Sequence, residues 1–284
     1  MTFRNLSKTF MYVNAYGESI VFEYAKGFLI NKPAGVDTVT VSLAQAQGIN
    51  QVGATVQSRN IQPRAVNVSG ILVGGFQAEN KDRLLSVVRP DLAGKLYADD
   101  FYLDVYPTST PSIGPEKAFA PFSFSLLAAY PFWQHDETLK AVLSGLAYRF
   151  RLPCNFSRPY KFAEIIETQF INVVNSGQLP VPFTVTFFAK GACSNPKLTN
   201  VSTGKYLLIE RDMVAGERVV VEITHSKTYV TSSVEGDIRG ALLLESNLFE
   251  LAVGDNVLKP EAASGSDQLE VTIDFATEKV GVSL

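Results

Sequence analysis

The stretch PFWQHDE sets His135 beside Asp136 and Glu137, the residue types of a general base and its acidic orienter. Consecutive residues project in different directions, however, so a proton relay needs partners delivered from elsewhere in the fold. The second and last histidine, His225, ends a strand-like run on its apolar face. No G-x-S-x-G elbow is present, and a structural role is expected for both histidines. Zinc takes clustered Cys and His, whereas Cys154, Cys193, His135 and His225 are scattered singly. YADDFYLD holds Asp99, Asp100 and Asp104 without the closing Glu of a calcium loop, which reads as a turn followed by a solvent-facing strand position. LVGGFQAENK pairs Gly74 with Gly75 but lacks the spacing that aims backbone amides and a lysine at phosphate. Any two of the 28 acids can meet in space as a glycoside-cleaving pair, and nothing singles one out. The expectation is a protein that binds or builds, with no catalytic residues, no cofactor and no metal.

Composition supports that class. Of 284 residues, 46% are hydrophobic and 19% charged, as in ordinary globular domains, and two domains fit the length. The net charge of −3 is too small to imply nucleic acid or an acidic membrane as partner, and no run approaches the ~20 apolar residues of a membrane helix. The N-terminal residues do not read as an export signal, so synthesis in a cytoplasm and two buried free thiols are expected. Basic residues exceed acidic ones up to residue 158 and the reverse holds beyond it. The excess is partly local, in YRFRLPCNFSRPYK, where Arg149, Arg151 and Arg158 make either a solvated strand face or a contact for an acidic neighbour such as another copy of the chain.

The elements that would position these residues are mostly strands. QLEVTIDF (268–275) alternates Leu269, Val271, Ile273 and Phe275 against polar residues. Val219, Val221 and Ile223 share a face in ERVVVEITH, as do Val66, Val68 and Leu72 in RAVNVSGILV, and FSFSL (122–126) alternates throughout. Turn signals recur at short intervals, among them Asn175-Ser176-Gly177, Ala215-Gly216-Glu217 and Gly254-Asp255-Asn256. This spacing predicts an antiparallel β-sandwich for the C-terminal half. Two helices are predicted. One runs over 77–90, with Leu84, Leu85 and Val88 in step and Pro90 as its stop; the other runs over 136–146, with Leu139, Val142, Leu143 and Leu146 at helical spacing. The fold class is therefore mainly β (a β-rich α+β). Pro153 and Pro159 interrupt the periodicity and place a domain boundary near 158, giving domains 1–158 and 159–284.

The order of segments is informative. An R-x-V-x-V-x-G strand runs into a short Lys/Asp/Leu helix and a Pro-containing turn within residues 60–97. A long alternating strand at 119–133 then ends in a Pro-Phe-Trp corner. Next come Asn175, Gly177, Pro182 and Val185, then Gly216, Glu217, Val219 and Val221, and finally Leu248, Phe249, Leu251, Gly254, Asp255, Asn256 and Leu258. This succession, over residues 15–284, resembles the distal tail protein (Dit) family of long-tailed, siphovirus-type bacteriophages and prophages. Two departures stand out: segment 134–160 is longer than the resemblance leads one to expect, and LKPEAASGSDQ (258–268) is rich in Ser and Gly.

The resemblance implies an N-terminal ring-forming domain, a C-terminal galectin-like sandwich, and a structural role in the virion. Such a protein forms a homo-hexameric hub joining the tail tube to the tip, baseplate or fibre proteins, and leaves the host by lysis. Its ring contacts would lie in the N-terminal domain, first in 64–106, with Arg64, Arg149, Arg151 and Arg158 as candidates. In SNLFELAVGDNVLK (246–259), Leu248, Phe249 and Leu251 would pack into the sandwich, and Gly254-Asp255-Asn256 would turn the chain within one hairpin. The alternative is a carbohydrate-binding sandwich for host-surface recognition, with Tyr130, Trp133 and Tyr229 as exposed stacking aromatics and cell-wall polysaccharide as ligand.

Overall fold

A computed structural model describes residues 10–73, 77–115, 119–143, 145–148, 163–166 and 170–282. Contacts divide the chain into two units, residues 1–136 with 278–284, and residues 137–277. The boundary expected near residue 158 lies outside the described residues. The described ones change unit at Asp136–Glu137, because the strand that follows is already part of the second unit's sheet, and residues from Glu278 onward return to the first.

The first unit is built on an antiparallel sheet in the order Ser19–Val21, Phe10–Asn14, Gly94–Ala98, Phe101–Pro107, Phe119–Ala128, Arg64–Val73 and Phe28–Ile30. Its longest ladder joins Phe119–Ala128 to Arg64–Val73 over ten register pairs. Alternation decides the faces. Phe122, Phe124 and Leu126 point into the core with Val66, Val68 and Leu72, while Ser123, Ser125 and Asn67 point out. Phe22 is the hub of an aromatic cluster, with centroids 5.7 Å from Phe10 and Phe28 and 5.9 Å from Phe124. The helix Gln77–Val87 sends Leu84 and Val87 into the same core and stops before Pro90, whose ring cannot continue it. Between Gly94–Ala98 and Phe101–Pro107 the chain turns at Asp99 and Asp100, with Asp99 at φ +53°, and Asp104 is exposed on the strand beyond. Gly74 and Gly75 lie outside the described residues.

The second unit is built on a six-stranded antiparallel sheet (Leu139–Val142, Leu269–Phe275, Thr184–Ala189, Arg218–Ile223, Thr228–Ser232, Gly236–Asp237) and a four-stranded one (Ile171–Asn175, Gly254–Glu261, Lys197–Asn200, Tyr206–Leu208), with two further two-stranded pairings. Both feed one core. Val185, Phe187, Val221 and Ile273 from the first sheet pack in the same cluster as Val173, Leu198, Leu207 and Leu258 from the second, which makes the unit a β-sandwich.

The helix expected over 136–146 is not formed. Residues Leu139–Val142 are a strand on the edge of the six-stranded sheet, in register from Leu139↔Phe275 to Val142↔Thr272. Leu139 and Val142 are exposed, and Leu143 reaches the core. Pairing with an existing strand edge satisfies this segment's backbone groups and overrides a short helical pattern that contains Gly145.

Candidate assembly surface

Among the described residues, the side chains best able to do chemistry are engaged in packing, and no group of three His, Cys, Asp or Glu is placed to hold a metal. His135 meets the Phe101 ring edge-on at 4.8 Å in the first unit. His225, in the second, lies 3.4 Å from a Glu250 carboxylate oxygen. Cys193 is a buried free thiol whose pKa is pushed up by burial, and Cys154 lies outside the described residues. No helix among the described residues is long and apolar enough to cross a membrane.

Arg64 is not a surface contact. It is buried, and its guanidinium donates to the backbone carbonyls of Pro131 at 2.6 Å, Val36 at 2.7 Å and Gly35 at 2.9 Å, and also to Val280. Burial holds its pKa down to about 10. The alternation that turns Val66 and Val68 inward turns Arg64 inward too, and an arginine forced into a core needs a carbonyl cage of this kind. Arg149, Arg151 and Arg158 lie outside the described residues. Trp133 is fully buried, with its indole N–H donating to Val36 O at 2.9 Å, which removes it as a stacking platform. Tyr130 gives its hydroxyl to Glu278 at 2.5 Å, and Tyr229 is 39% exposed.

In the second unit, Phe249 and Leu251 are buried, and Phe249 lies 5.2 Å from Phe183. Leu248 packs against the same core. The turn falls earlier than expected. Leu251 bridges to Val181 rather than pairing with the strand that follows, and Gly254, at φ +86°, opens that strand. Asp255 and Asn256 are strand residues facing Val174 and Val173. Asn256 is nevertheless what fixes the turn. Its buried amide accepts from Ala252 N at 2.9 Å and donates to Ala252 O at 2.8 Å and Gly254 O at 3.1 Å. Asn175, opposite Gly254, clamps a second turn by bonding Leu179 O and Gly177 N. Glu217 is the third such residue. Its buried carboxylate accepts from Ser232 Oγ at 2.6 Å, Arg211 Nε at 2.9 Å and Val214 N at 3.1 Å. Burial pushes its pKa up, but these donors and the Arg211 charge outweigh burial and leave it below the ordinary carboxylate value.

The sequence reading missed an arm. Strands Val41–Ala46 and Thr55–Ile61 form a two-stranded hairpin that, among the described residues, pairs only with itself and whose every strand residue is exposed. The register puts Val41, Leu43, Val56 and Ile61 on one side, together with Gln45 and Arg59, and Ser42, Ala44, Ser58 and Asn60 on the other. The four apolar residues are 45–53% exposed, and Ile49 and Val52 at the tip are wholly so. Arg59 is the only charged residue in 41–62. Side-chain amides shape the tip, with Gln51 Oε1 accepting from Gly48 N at 2.9 Å and Gln51 Nε2 donating to Thr55 at 3.0 Å. Such a hairpin is marginal alone in water, and an uncovered apolar side that large calls for a partner surface. A signal was present: a charge-poor run, alternating at Val41 and Leu43, interrupted by Gly48 and Gly53.

Residues 176–279 match the model of the siphovirus-type tail component, C-terminal domain. That part of the chain is similar to the C-terminal domain of siphovirus-type tail components. The match covers the strands clamped by Glu217 and Asn256, so the phrases that carry the resemblance are the ones whose polar residues hold turns. The chain has the fold of the SPP1 Dit (gp 19.1) crystal structure, titled a paradigm of hub adsorption apparatus in Gram-positive infecting phages. The two share 13% identity at a TM-score of 0.71, over 95% of this chain and 98% of that one. The phage P2 baseplate, in its activated conformation with calcium, contains a chain aligned over 97% of this one at 8% identity and a TM-score of 0.49. No curated protein matches the sequence.

Proposed function

We propose that this protein is a structural component of a phage tail, a hub at its distal end. Six copies close into a ring through the N-terminal unit, and the ring joins the tail tube to the tip, baseplate or fibre proteins. On this reading it is made in the host cytoplasm and carried in the virion, and the C-terminal sandwich is galectin-like. The observation that carries the proposal is the arm. It is a charge-poor hairpin with one mostly apolar side that also carries Arg59, outside the core of its own unit, and its repetition on every copy suits a surface used head-to-tail around a closed ring. Nothing in this role requires catalytic residues.

Light scattering on a sizing column tests it. The expected particle has six times the 31.0 kDa chain mass, and replacing residues 41–61 by a short Gly-Ser linker leaves folded monomers. A wild-type chain that stays monomeric both alone and with tail-tube protein overturns the proposal.

A further inference from the structure

A cleft of about 500 Å³ opens in the second unit, where the turn after Arg218–Ile223 meets Lys205 and the segment Leu248–Glu250. Its base is apolar: Leu248 packs on the core, and beside it only small edges of Ile223 and Phe249 remain accessible. Its rim carries Lys205, Lys227 and the side chains of Ser226 and Thr228. The turn is held firmly, Thr224 N donating to Lys227 O at 2.8 Å and Lys227 N to Thr224 Oγ1 at 3.0 Å, so Lys227 projects from a fixed backbone.

The two lysines stand apart from the other described lysines of this unit. Lys140, Lys190 and Lys259 each pair with a carboxylate, at 3.5, 2.8 and 2.6 Å, and Lys197 lies over the Tyr206 ring at 4.7 Å. Among the described residues, the ammonium groups of Lys205 and Lys227 have no such partner, and both line the cleft. The one rim carboxylate, Glu250, faces His225. Two uncommitted cations, flanking hydroxyls and an apolar strip form a combination suited to a ligand with an anionic group on a hydroxylated carbon skeleton. The anion meets the lysines, the hydroxyls meet Ser226 and Thr228, and the C–H face lies on Leu248 and Phe249.

We propose that this cleft binds anionic polyols, meaning a sugar or alditol that carries a phosphate or carboxylate group. Titration calorimetry and ligand-observed saturation-transfer NMR on the full chain test it, with glycerol 3-phosphate, a glucuronic-acid disaccharide, glycerol, the matching neutral disaccharide and inorganic phosphate as probes. One or both anionic polyols are expected to bind at least tenfold more tightly than their neutral parents and than inorganic phosphate, and which of the two does so identifies the anion source. Lys205→Met/Lys227→Met should weaken that binding at least tenfold without changing particle mass or melting temperature. Equal binding of the neutral parents, equal binding of bare phosphate, an unaffected double variant, or no binding at millimolar concentration would each overturn the assignment.

Discussion

The most informative perturbation is Leu43→Ser with Ile61→Ser, two substitutions on the apolar side of the arm. Leu43 is 49% exposed and Ile61 52% exposed in the single chain. Fully burying such a side chain contributes about 1.5–3 kcal/mol, so covering the exposed half of each contributes about 1 kcal/mol. With Val41 and Val56 at similar exposure, the arm's apolar side offers about 4 kcal/mol per contact, and the double variant removes about half of it. A loss of about 2 kcal/mol weakens each contact roughly thirtyfold. Sedimentation velocity across micromolar concentrations should show the assembly shifting to smaller species. The arm residues belong to neither core cluster, so the melting temperature of the dissociated chain should be unchanged. An assembly with wild-type concentration dependence would refute the claim that this side of the arm is buried between copies, even if the ring itself forms.

Arg64→Met withdraws the donor from the carbonyls of Pro131, Gly35 and Val280, while Val36 keeps the Trp133 indole. A loss of about 3–5 kcal/mol in urea melts is expected, and a loss below about 1 kcal/mol would mean that the cage relaxes or admits water. Asn256→Ala removes a buried amide that bonds Ala252 through both its carbonyl and its N–H. It should cost about 2–3 kcal/mol and speed hydrogen exchange at Ala252, and unchanged exchange there would count against the clamp. Glu217 has a folded pKa below its unfolded value, so its stabilising effect is complete above about pH 4.5 and is lost as pH falls through the lower, folded pKa. Wild-type stability should therefore decline in that acid window more steeply than that of Glu217→Gln, and parallel pH profiles would show that the carboxylate is not what titrates.

Much of the sandwich was legible because a strand with one buried side writes its environment into its sequence. Leu269, Val271, Ile273 and Phe275 alternate in the sequence and are buried in the fold, and the same holds for Val219, Val221 and Ile223. Edges were harder. Leu139–Val142 is an edge strand with two of its apolar residues exposed, so its apolar spacing follows no two-residue period and matched a helix instead. The misplaced turn at Gly254-Asp255-Asn256 has a related cause. Asp and Asn favour turns through local hydrogen bonds, and Asn256 does make them, but backwards to Ala252 from a position inside the strand. Arg64 was misjudged by type, since its place in the alternation with Val66 and Val68 already pointed inward.

The arm was missed for a different reason. Alternation is normally interpreted by assuming that the apolar side faces the chain's own core, and charge-poor polar residues on the other side then look like ordinary solvent-facing positions. In Val41–Ala46 the alternation is present, and in Thr55–Ile61 a register shift brings Val56 and Ile61 to the same side, but neither core cluster of the described residues receives them. A single sequence cannot distinguish a strand packed within its own fold from one awaiting another copy, because both bury the same kinds of atoms. What separates them is the exposure of Val41, Leu43, Val56 and Ile61 in the isolated chain, and exposure is a property of the fold.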